Sequence, residues 1–139
     1  MKKLLLVGVV LALGVTTSVA MAGKPGSQVR GQGKVQFGDP AAFSVSHISV
    51  NAWADGAGVA HGSLEWVGGV GPDTRPPAYP WHMAVTSIDV TGNTAKVCWV
   101  VVKAPIPGDI GITDCFDFTD GAPDTINGES IQAGNITVR

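Results

Sequence analysis

The hydrophobic residues of this chain fall in short stretches that alternate with polar residues, and Gly, Pro, Asp and Asn separate the stretches. The separators recur about every eight to twelve residues, a spacing typical of an antiparallel β sandwich or barrel. After the first 22 residues no stretch has the period of an amphipathic helix. The pattern therefore predicts an all-β fold, a single antiparallel β barrel or sandwich of about seven to eight strands. The predicted strands are 34–37, 42–52, 59–67, 81–90, 94–103, 110–119 and 135–138, with weaker segments around Ile126 and Ile131.

Two details of the pattern predict local geometry. Gly92 and Asn93 stand between two β-branched stretches, and both residue types tolerate positive φ, so a tight hairpin is expected there. The apolar positions change face near His47 and again near Thr86 and Ser87. Because one extra residue in a strand produces such a change, a β-bulge is predicted near Thr86 and Ser87. Near His47 the prediction is either a bulge or a strand that crosses between two sheets.

The first 22 residues have the layout of a cleaved leader. Lys2 and Lys3 precede an unbroken apolar stretch over 4–15, and small residues follow at Ala20 and Ala22. This layout predicts a signal peptide over 1–22, a flexible N-terminal segment over 23–33 and one antiparallel β domain over 34–139. We expect a bacterial protein that is secreted or held at the cell surface, with no membrane span after cleavage. The alternative is an uncleaved N-terminal anchor.

Composition narrows the class of protein and of partner. The chain has 19 Gly and 9 Pro among 139 residues, which excludes a coiled coil or a large helical protein because both residue types break helices. Loss of Lys2 and Lys3 with the leader changes the formal net charge from −2 to −4. A mildly acidic protein without a cluster of Lys and Arg cannot neutralise many phosphates, so no nucleic-acid partner is expected.

The two cysteines are Cys98 and Cys115, and the chain has no Cys-x-x-Cys motif. In a secreted protein two cysteines most simply form one disulfide, whereas a redox pair or a metal site is the alternative. If the strands at 94–103 and 110–119 form a hairpin centred between Ile106 and Pro107, the two cysteines lie directly opposite each other. This register predicts a Cys98–Cys115 disulfide.

The segment 68–80 is rich in Gly and Pro and predicts a long surface loop, because proline cannot donate a hydrogen bond to a sheet. Arg75, Tyr79 and Trp81 lie in or beside this loop and belong to the residue types enriched at binding hot spots. These three residues are the predicted contact surface. The alternative is that Trp81 only fastens the loop to the barrel.

Six acidic residues and no Lys or Arg occupy the segment 104–129. Because Ca²⁺ prefers carboxylate oxygens, Asp114, Asp117, Asp120 and Asp124 are the candidate ligands of a calcium ion. The alternative is a solvated sheet edge whose charge discourages the association of strands. No other cofactor is predicted.

The three histidines, His47, His61 and His82, do not stand at metal-ligand spacing from one another or from a cysteine. The sequence has no nucleophile elbow, no metalloprotease helix and no phosphate-binding Gly loop. It therefore identifies no catalytic residue and favours a non-enzymatic protein.

Several segments, in order along the chain, resemble a family of small secreted bacterial domains. The segment VTSIDVTGNTA at 85–95 is similar to the TSI-V-GNTA hairpin of that family. GSLEW at 62–66 is similar to its GHLEY strand, and IQAGNITV at 131–138 to its closing L-GGNIQI segment. The chain thus resembles the post-COAP domains over about 31–139. The resemblance implies an antiparallel β-rich extracellular module and brings no reaction with it.

Taken together, the sequence predicts a secreted or cell-surface β module with a binding or structural role toward an extracellular protein or a surface polymer. Two other classes stay open. One is a small secreted enzyme or ligand-binding barrel, which a deep polar pocket containing His and Asp would favour. The other is a protease inhibitor that presents the Pro-rich loop over 68–81 as a rigid bait.

Overall fold

A computed structural model of the protein describes residues 23–37, 45–68 and 80–139, so the predicted leader over 1–22 lies outside the described residues. Nine strands form one antiparallel sheet in the order β8-β7-β6-β5-β4-β3-β2-β1-β9. The sheet is curled into a half-barrel. The strands are Gln28–Val35 (β1), Ser46–Ala54 (β2), Ala60–Val67 (β3), Trp81–Thr91 (β4), Thr94–Lys103 (β5), Thr113–Thr119 (β6), Thr125–Ile126 (β7), Glu129–Ser130 (β8) and Ala133–Val138 (β9). The all-β prediction is confirmed, with nine strands where seven to eight were expected.

Alternate residues of the long strands line the concave side of the sheet and form one apolar core. In β2 the side chains of Ile48, Val50 and Ala52 are at most 4% exposed, while the residues between them face outward. Val97 of β5 and Phe118 of β6 are fully buried on the same side. This two-residue period is the one that the sequence pattern predicted. Within the described residues no helix is long and apolar enough to cross a membrane.

The predicted pairing of β4, β5 and β6 is confirmed. Thr91 pairs with Thr94 across the Gly92–Asn93 turn, where Gly92 has φ 62°. The register between β4 and β5 shifts between Val85 and Ser87, which is the bulge expected at this place.

The disulfide is also confirmed. Cys98 pairs with Cys115 in the register between β5 and β6, and the two residues form a disulfide with their Cα atoms 3.9 Å apart. The register predicted from the sequence therefore places the two cysteines where the disulfide forms.

The first strand begins at Gln28, not at residue 34, so 28–33 of the segment predicted to be flexible belongs to β1. The glycines in this segment serve close packing. Gly31 has φ 147°, and a Cβ there would collide with the backbone oxygen of Asn135 in β9. The bare backbone lets β9 pair closely with β1, so the high Gly content reflects a tight interface between strands.

Two other boundaries differ from the expectation. The bulge predicted near His47 is wrong, because His47 pairs without interruption with Lys34 and Val67. Val45, whose apolar side chain suggested the change of face, precedes the strand and is exposed. Strand β6 begins at Thr113, not at residue 110, because the preceding connection contains the 3-10 turn Pro107–Asp109.

Candidate functional site

Of the predicted contact residues, Arg75 and Tyr79 lie outside the described residues, and Trp81 is the first residue of β4. The Trp81 ring lies 5.7 Å from the ring of Trp66, which packs against the core. Its Nε1–H donates a hydrogen bond of 3.0 Å to Oδ2 of Asp109. Trp81 therefore fastens the start of β4 to the connection between β5 and β6, and its contact role stays a prediction.

Two of the four candidate calcium ligands accept hydrogen bonds from the backbone of the sheet edge. Asp124 accepts from the Gly121 N–H through Oδ1 at 2.8 Å and from the Ile136 N–H through Oδ2 at 2.7 Å. Oδ2 of Asp120 accepts from the Val138 N–H at 3.2 Å. Ile136 and Val138 belong to β9, so these carboxylates bridge the open side of the half-barrel where a neighbouring strand would otherwise bind.

The other two candidate ligands point to opposite faces of β6. Asp114 accepts a 2.8 Å bond from the N–H of Cys115, and its side chain is exposed. Asp117 is held to Asn127 through its backbone N–H and oxygen, at 2.8 and 2.7 Å. Among the described residues, no three side chains of His, Cys, Asp or Glu form a group that could hold a metal ion. Calcium binding stays a prediction.

A site that the sequence pattern did not identify lies on the convex, outward face of β1, β2 and β3. Trp53 is 38% exposed there, although it stands next to the buried Ala52 and Ala54. The alternation of β2 turns it outward, and the register places it between Gln28 of β1 and His61 of β3. An exposed indole on a polar face is the unusual feature, because large aromatic rings are more often buried.

The Trp53 ring is supported from one side by His61. The two ring centroids lie 5.8 Å apart at an interplanar angle of 27°, which is a stacked arrangement. Nε2 of His61 in turn donates to Oδ2 of Asp55 at 2.9 Å. Three residues therefore form a chain of contacts at the turn between β2 and β3.

Asp55 is itself fixed by the backbone of that turn. Its Oδ1 accepts from the N–H groups of Ala57 and Val59, each at 2.9 Å, as Asp commonly does in turns. The hydrogen bond from His61 lowers the pKa of Asp55, and the bonds from Val59 and Ala57 act in the same direction. The carboxylate therefore stays ionised and keeps the imidazole, and with it the Trp53 ring, in one orientation.

Polar groups flank Trp53 on the β1 side. Arg30 pairs with Asn51, which lies two residues before Trp53 on the same face of β2. The Arg30 side chain is exposed. The side-chain oxygen of Gln28, in the orientation that satisfies both groups, accepts from Nε and Nη2 of Arg30 at 3.0 Å. A hollow of about 300 Å³ lies between these side chains and Trp53. We call Gln28, Arg30, Asn51, Trp53 and His61 the Trp53 face.

The remaining histidines also face outward. His82 of β4 lies opposite Glu65, with Nδ1 3.2 Å from Oε2. A smaller hollow of about 210 Å³ between β2 and β4 is lined by both. The convex side is thus polar across four strands, and Trp53 is its one aromatic residue within the described part of β1 to β3.

In comparisons with family models, curated proteins and solved structures, nothing matches this chain. The resemblance to the post-COAP domains therefore stays a prediction.

Proposed function

We propose that this protein is a secreted or cell-surface, non-enzymatic module that binds its partner through the Trp53 face. The observation that carries the proposal is an indole 38% exposed to solvent and stacked on a histidine that a carboxylate holds in place. Trp and Arg are the side chains that most often dominate binding energy, and both occur here on adjacent strands.

Rigidity supports this assignment. Binding costs free energy whenever a side chain must be ordered against a partner. The stack on His61 and the Asp55 carboxylate restrict the Trp53 ring before any partner arrives. Gln28 restrains the Arg30 guanidinium in the same way. The face therefore loses less side-chain entropy on binding than mobile surface residues would.

The proposed extracellular location is supported by the disulfide, because disulfides persist in oxidising compartments. The leader predicted over 1–22 is consistent with the same location. Gly23, the residue that cleavage after Ala22 would make the first, is buried against Ile88 and Ala54.

A second candidate function is a small enzyme or ligand-binding barrel that uses a His and Asp pair. The specific observation in its favour is the 2.9 Å contact between His61 and Asp55. The pair lies at the surface, with side chains 45% and 39% exposed, and the stack on Trp53 covers one face of the imidazole. Orientation of Trp53 accounts for this pair without a reaction.

The test measures retention of the purified chain on immobilised cellulose, chitin, alginate, polygalacturonate and gelatin. We expect binding to at least one polymer and a loss of about tenfold or more in Trp53→Ala, because truncation of a hot-spot aromatic has effects of this size. The melting temperature should stay nearly unchanged, since an exposed ring supports little of the core.

The matched control is Val102→Ala, because Val102 is 54% exposed on β5, away from the Trp53 face. It should bind like the wild type. Equal retention of Trp53→Ala and wild type, or no binding to any of the five polymers, would contradict the proposal.

A further inference from the structure

A second hollow shares two lining residues with the hollow beside Trp53. The second hollow has about 330 Å³ and is lined by Lys24, Pro25, Val90, Gly92 and Arg139, together with Gly26 and Ser27. Gly26 and Ser27 also line the hollow beside Trp53. The two hollows therefore meet at this turn, and we call the pair the groove, with Trp53 and Arg30 in one half and the side chains of Lys24 and Arg139 in the other. Each half reaches the lower end of the volume of small-ligand sites, roughly 300 Å³.

The charge of this groove is opposite to that of the chain. The formal net charge of the protein is −2, yet neither hollow is lined by an Asp or Glu side chain. The groove contains Arg30, Lys24 and Arg139, all exposed. Within the described residues the ion pairs are His61 with Asp55 and His82 with Glu65, so these three cations have no acidic partner. The carboxylates of Asp120 and Asp124 are bonded to the backbone and cannot serve as partners without breaking those bonds.

Resting on the function proposed above, we propose that the groove binds a polysaccharide whose sugar rings carry carboxylates, that is, a uronate polymer. The indole of Trp53 offers a flat apolar surface for the C–H face of one sugar ring. Arg30 can bind the carboxylate of that ring or its neighbour through a charge-assisted hydrogen bond. Lys24 and Arg139 face a further carboxylate on the far side of the Gly26 and Ser27 turn.

Single-stranded nucleic acid also combines flat rings with negative charge. It carries one phosphate per nucleotide, and its binding depends on neutralising many of them. Three cations on a protein of net negative charge provide little of that neutralisation. A neutral polysaccharide, in turn, would use Trp53 but gain nothing from the cations. The combination of one stacking ring with spaced, unpaired cations fits the uronate polymer best.

The test compares two soluble ligands with the same sugar backbone, polygalacturonate and its fully methyl-esterified form, which has no carboxylate charge. We expect the wild type to bind the acid form at least about tenfold more tightly than the ester at low salt. The advantage should shrink as salt is raised, because salt screens exposed charges. Arg30→Gln, and separately the double variant Lys24→Gln with Arg139→Gln, should each weaken binding of the acid form by a larger factor than binding of the ester, and so reduce this advantage.

The matched control is Lys96→Gln with Lys103→Gln, which removes two cations of β5 that lie outside the groove. It should keep the preference for the acid form. Equal binding of acid and ester, with no effect of Arg30→Gln, would overturn the uronate assignment but leave the Trp53 face in place. Binding of the acid form that survives in Trp53→Ala would overturn the proposed function itself. Equally tight binding of oligo-dT with the same dependence on Arg30 would also overturn the assignment, because it would make the groove a general polyanion site.

Discussion

On the side of the half-barrel formed by β5, β6 and β9, both cysteines and two of the carboxylates form bonds within the fold. Cys98 is bonded to Cys115, and the carboxylates of Asp120 and Asp124 accept hydrogen bonds from the backbone of β9. On the convex face of β1 to β3, by contrast, Trp53 is 38% exposed and stacks on His61. The two sides therefore differ in which side-chain groups are still free to bind a partner.

This difference shows why residue type alone is a weak guide to a site. Several aspartates close together in sequence suggest a cation site, but both carboxylate oxygens of Asp124 already accept hydrogen bonds from the backbone. Trp53, which is 38% exposed and stacked on His61, still offers ring surface to a partner. The useful question about a candidate side chain is therefore which of its bonds are already made.

The largest effect should come from removing the covalent link on the β5 and β6 side. The double variant Cys98→Ser with Cys115→Ser opens a loop with a sequence separation of 17. Loss of a disulfide that closes a loop of this size costs about 3 kcal/mol in unfolding free energy. Urea unfolding of the oxidised wild type and the variant measures the difference. A change well below 1 kcal/mol in the unfolding free energy would mean that the stability of this side does not depend on the disulfide. That result would contradict the contrast between this side and the Trp53 face.

A smaller effect is expected from Asp124→Ala. The variant leaves the buried N–H of Ile136 without its acceptor, whereas water can bind the N–H of the exposed Gly121. An unsatisfied buried donor costs about 1–3 kcal/mol, so we expect a loss of about 2 kcal/mol in unfolding free energy. Asp117→Ala is the control, because the bonds of Asp117 to Asn127 use its backbone and not its carboxylate. If both variants lose the same stability, the carboxylate bridge to β9 is not what holds the open side.

The smallest effect concerns the support of Trp53. Because the pKa of Asp55 lies below its usual 3.8 in the folded protein, its contribution to stability is present above that pH and is lost as the pH falls through the folded pKa. Asp55→Asn should therefore lower the melting temperature slightly at pH 7, and the difference from wild type should disappear in strong acid. Melting curves of both proteins from pH 7 to pH 2 measure this.

His61→Gln sharpens the same experiment, since the bond from His61 is the main cause of the lowered pKa of Asp55. In that variant the effect of Asp55→Asn at pH 7 should be smaller. A difference between wild type and Asp55→Asn that is the same at every pH would contradict the ionised contact.

Much of the fold could be predicted because it depends on local order along the chain. The alternation of apolar residues predicted β5 with the bounds that the structure shows. The predicted hairpin register placed Cys98 opposite Cys115, as observed. The start of β1 was missed because Gly31 and Gly33 look like flexible chain, and their purpose depends on β9 at the other end of the sequence. The short hairpin of β7 and β8 was recognised only as weak segments, since two-residue strands have no alternation to detect.

The site illustrates the same limit. Trp53 and His61 could have been paired by the register argument that paired the cysteines, had the second predicted strand continued past Ala52. The role of Asp120 and Asp124 could not, because their partners in β9 are reached by side chains across the open side of the sheet. The alternation of apolar and polar residues along the sequence gives no information about such a side-chain contact.

The pairing of β1 with β9 has a consequence for the order of folding. Val29 pairs with Val138, and among the described strand pairings this contact closes the longest loop. The entropy lost in closing a loop grows with its length, and proteins dominated by such distant pairings fold slowly. The hairpins of β2 to β6 can form while the chain is still being made, but the edge of β1 that pairs with β9 stays bare until β9 has been synthesised. The closing step of this sheet therefore waits for β9.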